Sequence, residues 1–120
     1  MRRHTVFKEL ELKTMAGVAS NTLSEDLYSE ELETKCIDVC GLILDISAAA
    51  ALNAAMVVQV KTLNSSWSDI DFGAAISLSA NGNLNIKMET PPFEKIRIKF
   101  VWTAGTANVV LNFSGKSIGA

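Results

Sequence analysis

The chain has 120 residues, of which 48% are hydrophobic and 20% charged, and its formal net charge is −2. This length and composition support one buried core and exclude disorder over most of the chain. The slightly negative charge excludes the strongly basic surface of non-specific nucleic-acid binders, so we expect no nucleic-acid partner.

The sequence carries no signal for a membrane or for export. No window approaches the ~20 consecutive apolar residues that a membrane span requires. The N-terminal stretch "MRRHTVFKELELK" alternates charged and apolar residues where a secretory signal would have a continuous apolar run. We therefore expect a soluble single domain, residues 1–120, that is made in the cytoplasm and has no membrane partner.

Two elements are predicted in the first third of the chain. Residues 1–20 form a strand or an ordered arm, because Val6, Leu10 and Leu12 share one phase of a two-residue period. The acidic segment 22–33 fits a helix that opens with a serine cap and acidic first-turn residues, with leucines at roughly helical spacing. It fits equally well a solvated, irregular connection that carries a short edge strand.

The two cysteines, Cys36 and Cys40, predict reduced and buried thiols. They lie in a stretch rich in β-branched residues, and in a strand their Cα atoms would be ~13 Å apart, whereas a disulfide needs about 7 Å or less. A zinc site would need further ligands, and His4 is the only histidine in the chain. We expect no metal and no cofactor.

Two strand patterns flank an Ala-rich segment in the middle of the chain. In "GLILDIS" the residues Leu42, Leu44 and Ile46 share one phase, and Gly41 marks a bulge or a strand break. In "AMVVQVKTL" apolar and polar positions alternate again. The segment between them, 47–55, has the highest helix propensity in the chain but joins two strands, so we expect a loop there, with or without a turn of helix.

Trp67, in "NSSWSDIDFG", is either an exposed binding platform or the first core residue of a strand. We favour the core role, after a turn at residues 64–66. A regular strand would then place Asp69 and Asp71 on the buried side with Trp67, which is costly for unpaired carboxylates. We therefore expect an irregular, turn-like segment after the tryptophan, with the isoleucine and phenylalanine of "SDIDF" in the inward positions.

The second half of the chain predicts two hairpins. In "AAISLSANGNLNIKMETPP" two alternating runs flank Asn81-Gly82, a strong hairpin signal, and Pro91-Pro92 ends the second strand. In "FEKIRIKFVWTAGTANVVLNFSG" two alternating runs flank a turn at residues 104–106. With about seven to eight short strands and no long amphipathic helix, the pattern predicts an all-β fold, an antiparallel β-sandwich.

No convincing catalytic set is present, so we expect that the chain is not an enzyme. A single histidine near the N-terminus argues against a Ser-His-Asp or Cys-His arrangement. Aromatic side chains could form a platform for a sugar, but most of them have inward parity, so core packing is favoured. These aromatic residues are Trp67, Tyr28, Phe72 and Phe93.

Two separate charged patches of opposite sign are candidate partner-binding sites. Lys95, Arg97 and Lys99 line one face of one predicted strand, and an acidic cluster lies elsewhere. The members of the acidic cluster are Glu25, Asp26, Glu30, Glu31 and Glu33. Such patches would suit head-to-tail association between copies, although either patch alone is more typical of a charged face that keeps a sheet soluble.

About four-fifths of the sequence resembles the layout of small jelly-roll structural proteins of tailed bacteriophages. That layout has a V-x-V-Q-x-S strand, a W-x-D-like segment, an N-G turn between two strands, and a P-F/Y-x-x-I/L-R-I/V strand before a Gly-Thr-Ala motif. The usual Asp-Gly before the tryptophan is replaced here by Asn64-Ser65-Ser66. The matching positions are Val58, Gln59, Val60, Trp67, Asp69, Asn81, Gly82, Phe93, Ile96, Arg97, Ile98, Gly105, Thr106 and Ala107.

This resemblance implies a jelly-roll-like sandwich and a non-enzymatic virion protein of the capsid cement or decoration type. Such a protein would lie on the capsid surface, be assembled in the host cytoplasm, and stabilise the shell by bridging capsid subunits. Its partner would be the major capsid protein or another virion protein, and it would be a homo-oligomer, with a trimer favoured. The alternative hypothesis is a carbohydrate-binding β-sandwich module on a tail or a secreted protein.

Overall fold

All regular structure in the described residues is β, and every strand pairing among them is antiparallel. The computed structural model describes the backbone of residues 4–33, 39–61, 67–70, 76–89 and 95–117, and the side chains of 7–33, 40–60, 76–86 and 95–115. The strands are β1 His4–Glu9, β2 Leu12–Thr14, β3 Thr22–Leu23, β4 Leu27–Ser29, β5 Leu32–Glu33, β6 Val39–Lys61, β7 Trp67–Ile70, β8 Ile76–Leu78, β9 Gly82–Glu89 and β10 Lys95–Ser117.

Two long strands organise the sheet. β6 and β10 have 23 residues each, and they pair with each other from Ile96↔Val60 to Lys116↔Val39. Every other described strand pairs with one of these two, except β2, which pairs with β4. The sequence predicted only short strands, so the length of β6 and β10 is a correction.

The pairings divide the sheet into two layers. Layer A contains β1, β9, residues 39–46 of β6 and residues 108–117 of β10. Layer B contains residues 54–61 of β6, residues 95–102 of β10, and the short strands β2, β4, β5, β7 and β8. Buried residues of both layers form one hydrophobic cluster, so the layers pack face to face and the predicted antiparallel β-sandwich is confirmed.

Alternate residues of the long strands supply this core. Leu42, Leu44 and Ile46 are buried, as their shared phase predicts. Burial of one such side chain contributes about 1.5–3 kcal/mol. The largest fully buried side chains are Phe100, Leu10, Leu12, Leu23, Leu27, Leu42, Leu44, Met56, Leu78, Ile96, Ile98 and Leu111.

The two layers meet at a corner where the sequence predicted loops. β6 continues through residues 47–55, so the prediction of a loop or helical turn there is wrong. β10 likewise continues through residues 104–106, so the predicted hairpin turn is wrong as well. The helix propensity of alanine is a weak preference, and pairing with a long neighbouring strand overrides it.

The bend itself comes from bulges and from left-handed backbone. The register shifts three times across the corner, first by one extra residue on β10 and then twice by one extra residue on β6, so that β6 advances by seven residues while β10 advances by six. Ala48 and Ala51 have φ angles of 52° and 51°, and Gly105 of β10 has a φ of 79°. Left-handed backbone is uncommon for residues other than glycine, because the Cβ atom is crowded there. Among these residues alanine has the smallest side chain.

Gly105 holds β10 against β6 at the corner. A Cβ atom at this position would lie 2.2 Å from the carbonyl oxygen of Ala51, so only glycine fits. The indole Nε1–H of Trp102 donates to the carbonyl oxygen of Gly105 at 2.8 Å. On the other side, the N–H of Ala49 donates to Oδ1 of Asn81 at 2.8 Å.

The predicted hairpin around Asn81-Gly82 is also wrong. β8 pairs with β6 in layer B, at Ala54 to Met56, whereas β9 pairs with β6 in layer A. The two strands do not pair with each other, and the turn between them passes over the corner. Asn-Gly satisfies the backbone of a tight turn, but it does not determine which strand lies alongside.

The N-terminal third contributes strands to both layers. Of the two forms predicted for residues 1–20, a strand or an ordered arm, the structure contains strands β1 and β2. Of the two interpretations of the acidic segment 22–33, the connection with short edge strands is correct, because this segment forms β3, β4 and β5. Each of these three strands pairs with β10.

The start of β6 corrects one prediction and confirms another in part. β6 passes Gly41 without a break, and Gly41 pairs with Ser114 on one side and Lys87 on the other. Cys40 is a buried free thiol, as expected, and burial raises its pKa. Cys36 lies outside the described residues.

β7 answers part of the question raised by Trp67. Trp67–Ile70 pairs with residues 58–61 of β6 in unbroken register, so the predicted irregular segment directly after the tryptophan is wrong. Ile70 lies opposite Val58, which is buried. The side chain of Trp67, the turn at 64–66 and residues 71–75 lie outside the described part of the chain.

Candidate binding surface

The basic residues predicted to share a strand face do so on the outside of layer B. Lys95, Arg97 and Lys99 are half-buried and alternate along β10 with the fully buried Ile96 and Ile98. Their positions follow from the two-residue period of a strand with one buried face. Together with Tyr28, Glu30 and Glu31 they form the surface that we call the charged face.

The acidic cluster lies beside these basic residues, which corrects the prediction of two separate patches. β5 pairs with β10 so that Glu33 faces Lys95, and Nζ of Lys95 lies 3.8 Å from Oε2 of Glu31. Opposite charges this close compensate each other within one molecule. Head-to-tail attraction between distant patches is therefore weaker than the sequence suggests.

Tyr28 and Arg97 form the centre of the charged face. The guanidinium carbon of Arg97 lies 4.7 Å from the centroid of the Tyr28 ring, and Nζ of Lys99 lies 5.6 Å from it. Arg97 Nε donates to Oε1 of Gln59 at 2.7 Å. Burial lowers the pKa of Arg97, while Tyr28 and Glu31 act to raise it, and the side chain remains a cation at physiological pH.

Tyr28 is not a free stacking platform. Its ring is half-buried and carries two cations nearby. Stacking of a sugar would compete with these cation–π contacts, each of which contributes about 0.5–1 kcal/mol at an exposed site. The other aromatic residues of the predicted platform, Trp67, Phe72 and Phe93, have side chains outside the described part of the chain.

Two of the predicted partner-binding acids accept hydrogen bonds from the backbone of the fold. Oδ1 of Asp26 accepts a hydrogen bond from the backbone N–H of Trp102 at 2.8 Å. Oε2 of Glu30 accepts from the N–H of Glu11 at 2.9 Å, and its Oε1 pairs with Nζ of Lys8. These contacts join segments far apart in the chain, so no local sequence pattern predicts them.

The charge state of Glu30 reflects these contacts. Burial acts to raise its pKa, but the hydrogen bond from Lys8, the N–H of Glu11 and the positive charges of Lys8 and Lys13 together outweigh burial. The pKa of Glu30 is therefore lower than that of a free glutamate. Glu25, by contrast, is exposed.

An open groove of about 400 Å³ lies at one end of the charged face. Its walls carry both signs of charge, and Met15 at its rim is 76% exposed. The groove therefore presents an exposed apolar side chain together with charges of both signs. The groove is lined by Glu11, Lys13, Thr14, Met15, Gly17, Tyr28, Ser29, Glu30 and Arg97.

Within the described residues, no group of three or more His, Cys, Asp or Glu side chains is placed to hold a metal ion. The same part of the chain contains no helix that is long and apolar enough to cross a membrane.

Comparisons with known proteins place the fold. No protein-family model matches the sequence, and no curated protein matches it significantly. Among solved structures, the SPBc2 prophage-derived protein YomS is similar with a TM-score of 0.60 and 11% identity, over 98% of this chain and 96% of that chain. A chain in the structure of infectious bursal disease virus Gx strain is similar with a TM-score of 0.52 and 9% identity, over 100% of this chain.

The virus chain is much longer, and this chain covers 33% of it. A third structure, the CBM22-1 xylan-binding domain of Paenibacillus barcinonensis Xyn10C, has a TM-score of 0.46 and 10% identity, over 92% of this chain and 84% of that domain. At such identities, the likeness to the first two structures shows a shared fold.

Proposed function

We propose that this chain is a non-enzymatic structural protein of a bacteriophage virion, of the capsid cement or decoration type. In this role it binds the major capsid protein or another virion protein and stabilises the shell by bridging subunits. The observation that carries the proposal is the fold shared with a prophage-derived protein over 98% of this chain and 96% of that chain. The fold shared with a chain of a virus structure supports the same class of protein.

The construction of the sandwich supports a bridging role. β6 and β10 run through both layers, so a load applied to one layer is carried to the other by covalent backbone. The charged face holds Arg97 between Tyr28 and Gln59 before any partner arrives. A preorganised surface of this kind reduces the entropy that is lost on binding.

Particle composition tests the proposal directly. Mass spectrometry of purified particles of the phage or prophage that encodes this chain should find it in a fixed ratio to the major capsid protein. Recombinant protein should also sediment with purified shells and raise the temperature at which they disassemble.

Two charge variants on one strand locate the contact. Lys99→Glu changes the charged face and should weaken shell binding at least tenfold. Thr103→Glu places the same charge at an exposed position further along β10 and should leave binding unchanged.

Absence of the chain from particles, together with failure to sediment with shells, would contradict the proposal. Binding on a glycan array that is lost in Tyr28→Ala would favour a carbohydrate-binding module instead.

A further inference from the structure

β1 is an edge strand with an exposed aromatic residue. It pairs with β10 on one side, and no described strand lies on its other side. Phe7, at the middle of the strand, is 65% exposed. An open edge of this kind presents unpaired backbone N–H and C=O groups to which another strand can be added.

One hydrogen bond identifies which residues of β1 present these groups. The N–H of Leu10 donates to the carbonyl oxygen of Leu111 at 2.8 Å. In an antiparallel ladder, successive residues direct their backbone groups alternately towards the neighbour and away from it. Even-numbered residues of β1 therefore bond to β10, and the backbone groups of Thr5, Phe7 and Glu9 point outward.

The open edge ends at Glu11, the next outward position. Its N–H donates to Oε2 of Glu30 at 2.9 Å, and its carbonyl oxygen accepts from the N–H of Glu30 at 3.0 Å. An added strand can therefore use the three outward residues of β1 and cannot extend past them. Phe7 is the centre of this three-residue edge.

We propose that two copies of this chain associate by antiparallel pairing of their β1 edges, with a two-fold axis at Phe7. Phe7 then faces the partner's Phe7, and Thr5 faces the partner's Glu9, which gives about six backbone hydrogen bonds between the copies. Cα atoms that face each other in such a pair are ~5.5 Å apart. The two exposed rings are close enough to pack on each other at this distance.

Self-complementarity is the reason to assign a second copy to this edge. With the axis at Phe7, no residue of β1 faces a residue of like charge. With the axis at Lys8, two lysines would face each other, and with the axis at Glu9, two glutamates would do so. Like charges directly opposite each other destabilise a strand pair, and both shifts also run into the occupied backbone of Glu11.

The contact is small, so the dimer should form only at high concentration. Standard-size interfaces reach dissociation constants from micromolar to picomolar, and a single strand pair should be weaker than ~1 µM. The association does not depend on the proposed virion role. It is a dimer contact, and therefore differs from the trimer implied by the sequence resemblance.

Single cysteines at two positions test the register. Phe7→Cys should give a disulfide-linked dimer under mild oxidation, because the two Cα atoms facing each other lie within disulfide range. Glu9→Cys should not, because Glu9 faces the partner's Thr5, and the partner's Glu9 lies four residues further along the strand, ~13 Å away. Both variants are compared with the unchanged chain, which controls for the native cysteines. Equal crosslinking of the two variants would overturn the register.

Opposite charges at Phe7 test the two-fold axis without a covalent bond. In sedimentation at a concentration where the unchanged chain dimerises, Phe7→Lys and Phe7→Glu should each be monomeric, because like charges meet on the axis. An equimolar mixture of the two should regain the dimer. A monomeric unchanged chain at up to about 1 mM, a trimer without Phe7→Cys crosslinking, or a mixture that stays monomeric would each overturn the proposal. These outcomes are independent of whether the chain is found in virions.

Discussion

Layers A and B share β6 and β10 but complete them in different ways. In layer A the neighbouring strands are long, with eight residues in β9 and six in β1. In layer B the described neighbours have four residues or fewer. Because these strands are short, some backbone N–H groups of β10 have no backbone acceptor beside them. Side-chain oxygens accept two of these N–H groups. Ser29 Oγ accepts from the N–H of Ile98, and Asp26 Oδ1 accepts from the N–H of Trp102, both at 2.8 Å.

This difference explains why the acidic segment is difficult to interpret from sequence. The sequence predicts that Asp26 and Glu30 bind a partner, whereas in the structure they accept hydrogen bonds from the backbone N–H groups of Trp102 and Glu11. A buried or half-buried N–H without an acceptor destabilises the fold. A carboxylate can therefore be required at the surface by the backbone beneath it, whether or not it also contacts another molecule.

The largest expected effect is a loss of stability in both layers, caused by a substitution at the corner that joins them. Gly105→Ala should lower the free energy of unfolding by about 3 kcal/mol or more, because a left-handed φ and a close backbone contact both oppose the new Cβ. Gly17→Ala is the matched control, since Gly17 has a φ of 84° but nothing within 4 Å of its Cβ position. It should lose about 1–2 kcal/mol. Equal losses in urea denaturation would show that the contact with Ala51 is unimportant.

A medium effect should be confined to layer B. Asp26→Ala should destabilise the protein by about 1–3 kcal/mol, because the N–H of Trp102 loses its acceptor. Hydrogen exchange at the Trp102 amide should accelerate more than at amides in the centre of layer A. The neighbouring exposed variant Glu25→Ala should change stability by less than about 0.5 kcal/mol. A similar loss in both variants would point to general charge effects instead of this hydrogen bond.

The smallest expected effect on stability concerns the Lys8–Glu30 ion pair, which joins the two layers. Lys8 lies in layer A and Glu30 follows β4 in layer B. Because the pKa of Glu30 is lower in the folded protein, its contribution is present above the unfolded pKa and is lost as the pH falls through the folded value. Glu30→Gln should therefore lose up to about 1 kcal/mol at pH 7 and show a shallower loss of stability below about pH 5.

Denaturant unfolding at a series of pH values measures this difference. Glu25→Gln serves as the control, because Glu25 is exposed. It should follow the pH profile of the unchanged chain. If stability falls in the same way at acid pH in Glu30→Gln and in the unchanged chain, the contribution of the Lys8–Glu30 ion pair is contradicted.

Alternation along strands was predictable because it is a local property. The buried phases of Leu42 to Ile46 and of Ile96 to Phe100 are visible in the sequence and correct in the structure. Strand partners are not local, and therefore the turn signals at Asn81-Gly82 led to a hairpin that does not exist. Turn chemistry specifies the backbone of a few residues but leaves the neighbouring strand undetermined.

One missed feature did have a signal in the sequence. In β10 the buried positions are even before the corner, at Ile96 and Ile98, and odd after it, at Val109 and Leu111. A change of phase within one continuous strand indicates a bulge, whereas the sequence interpretation placed a turn there. The placement of Glu31 beside Lys95 had no such signal, since it depends on the pairing of β5 with β10.

The shared long strands also determine how the molecule can be made. Lys116 pairs with Val39 and Ile96 with Val60. Both layers therefore form only when distant parts of the chain come into contact. Proteins with such non-local pairing fold in milliseconds to seconds. During synthesis β6 is made before β10, so its apolar residues at first lack their partner strand. Until β10 follows, the exposed apolar residues and unpaired backbone of β6 favour pairing with other nascent copies, the hazard that chaperones limit in chains of this kind.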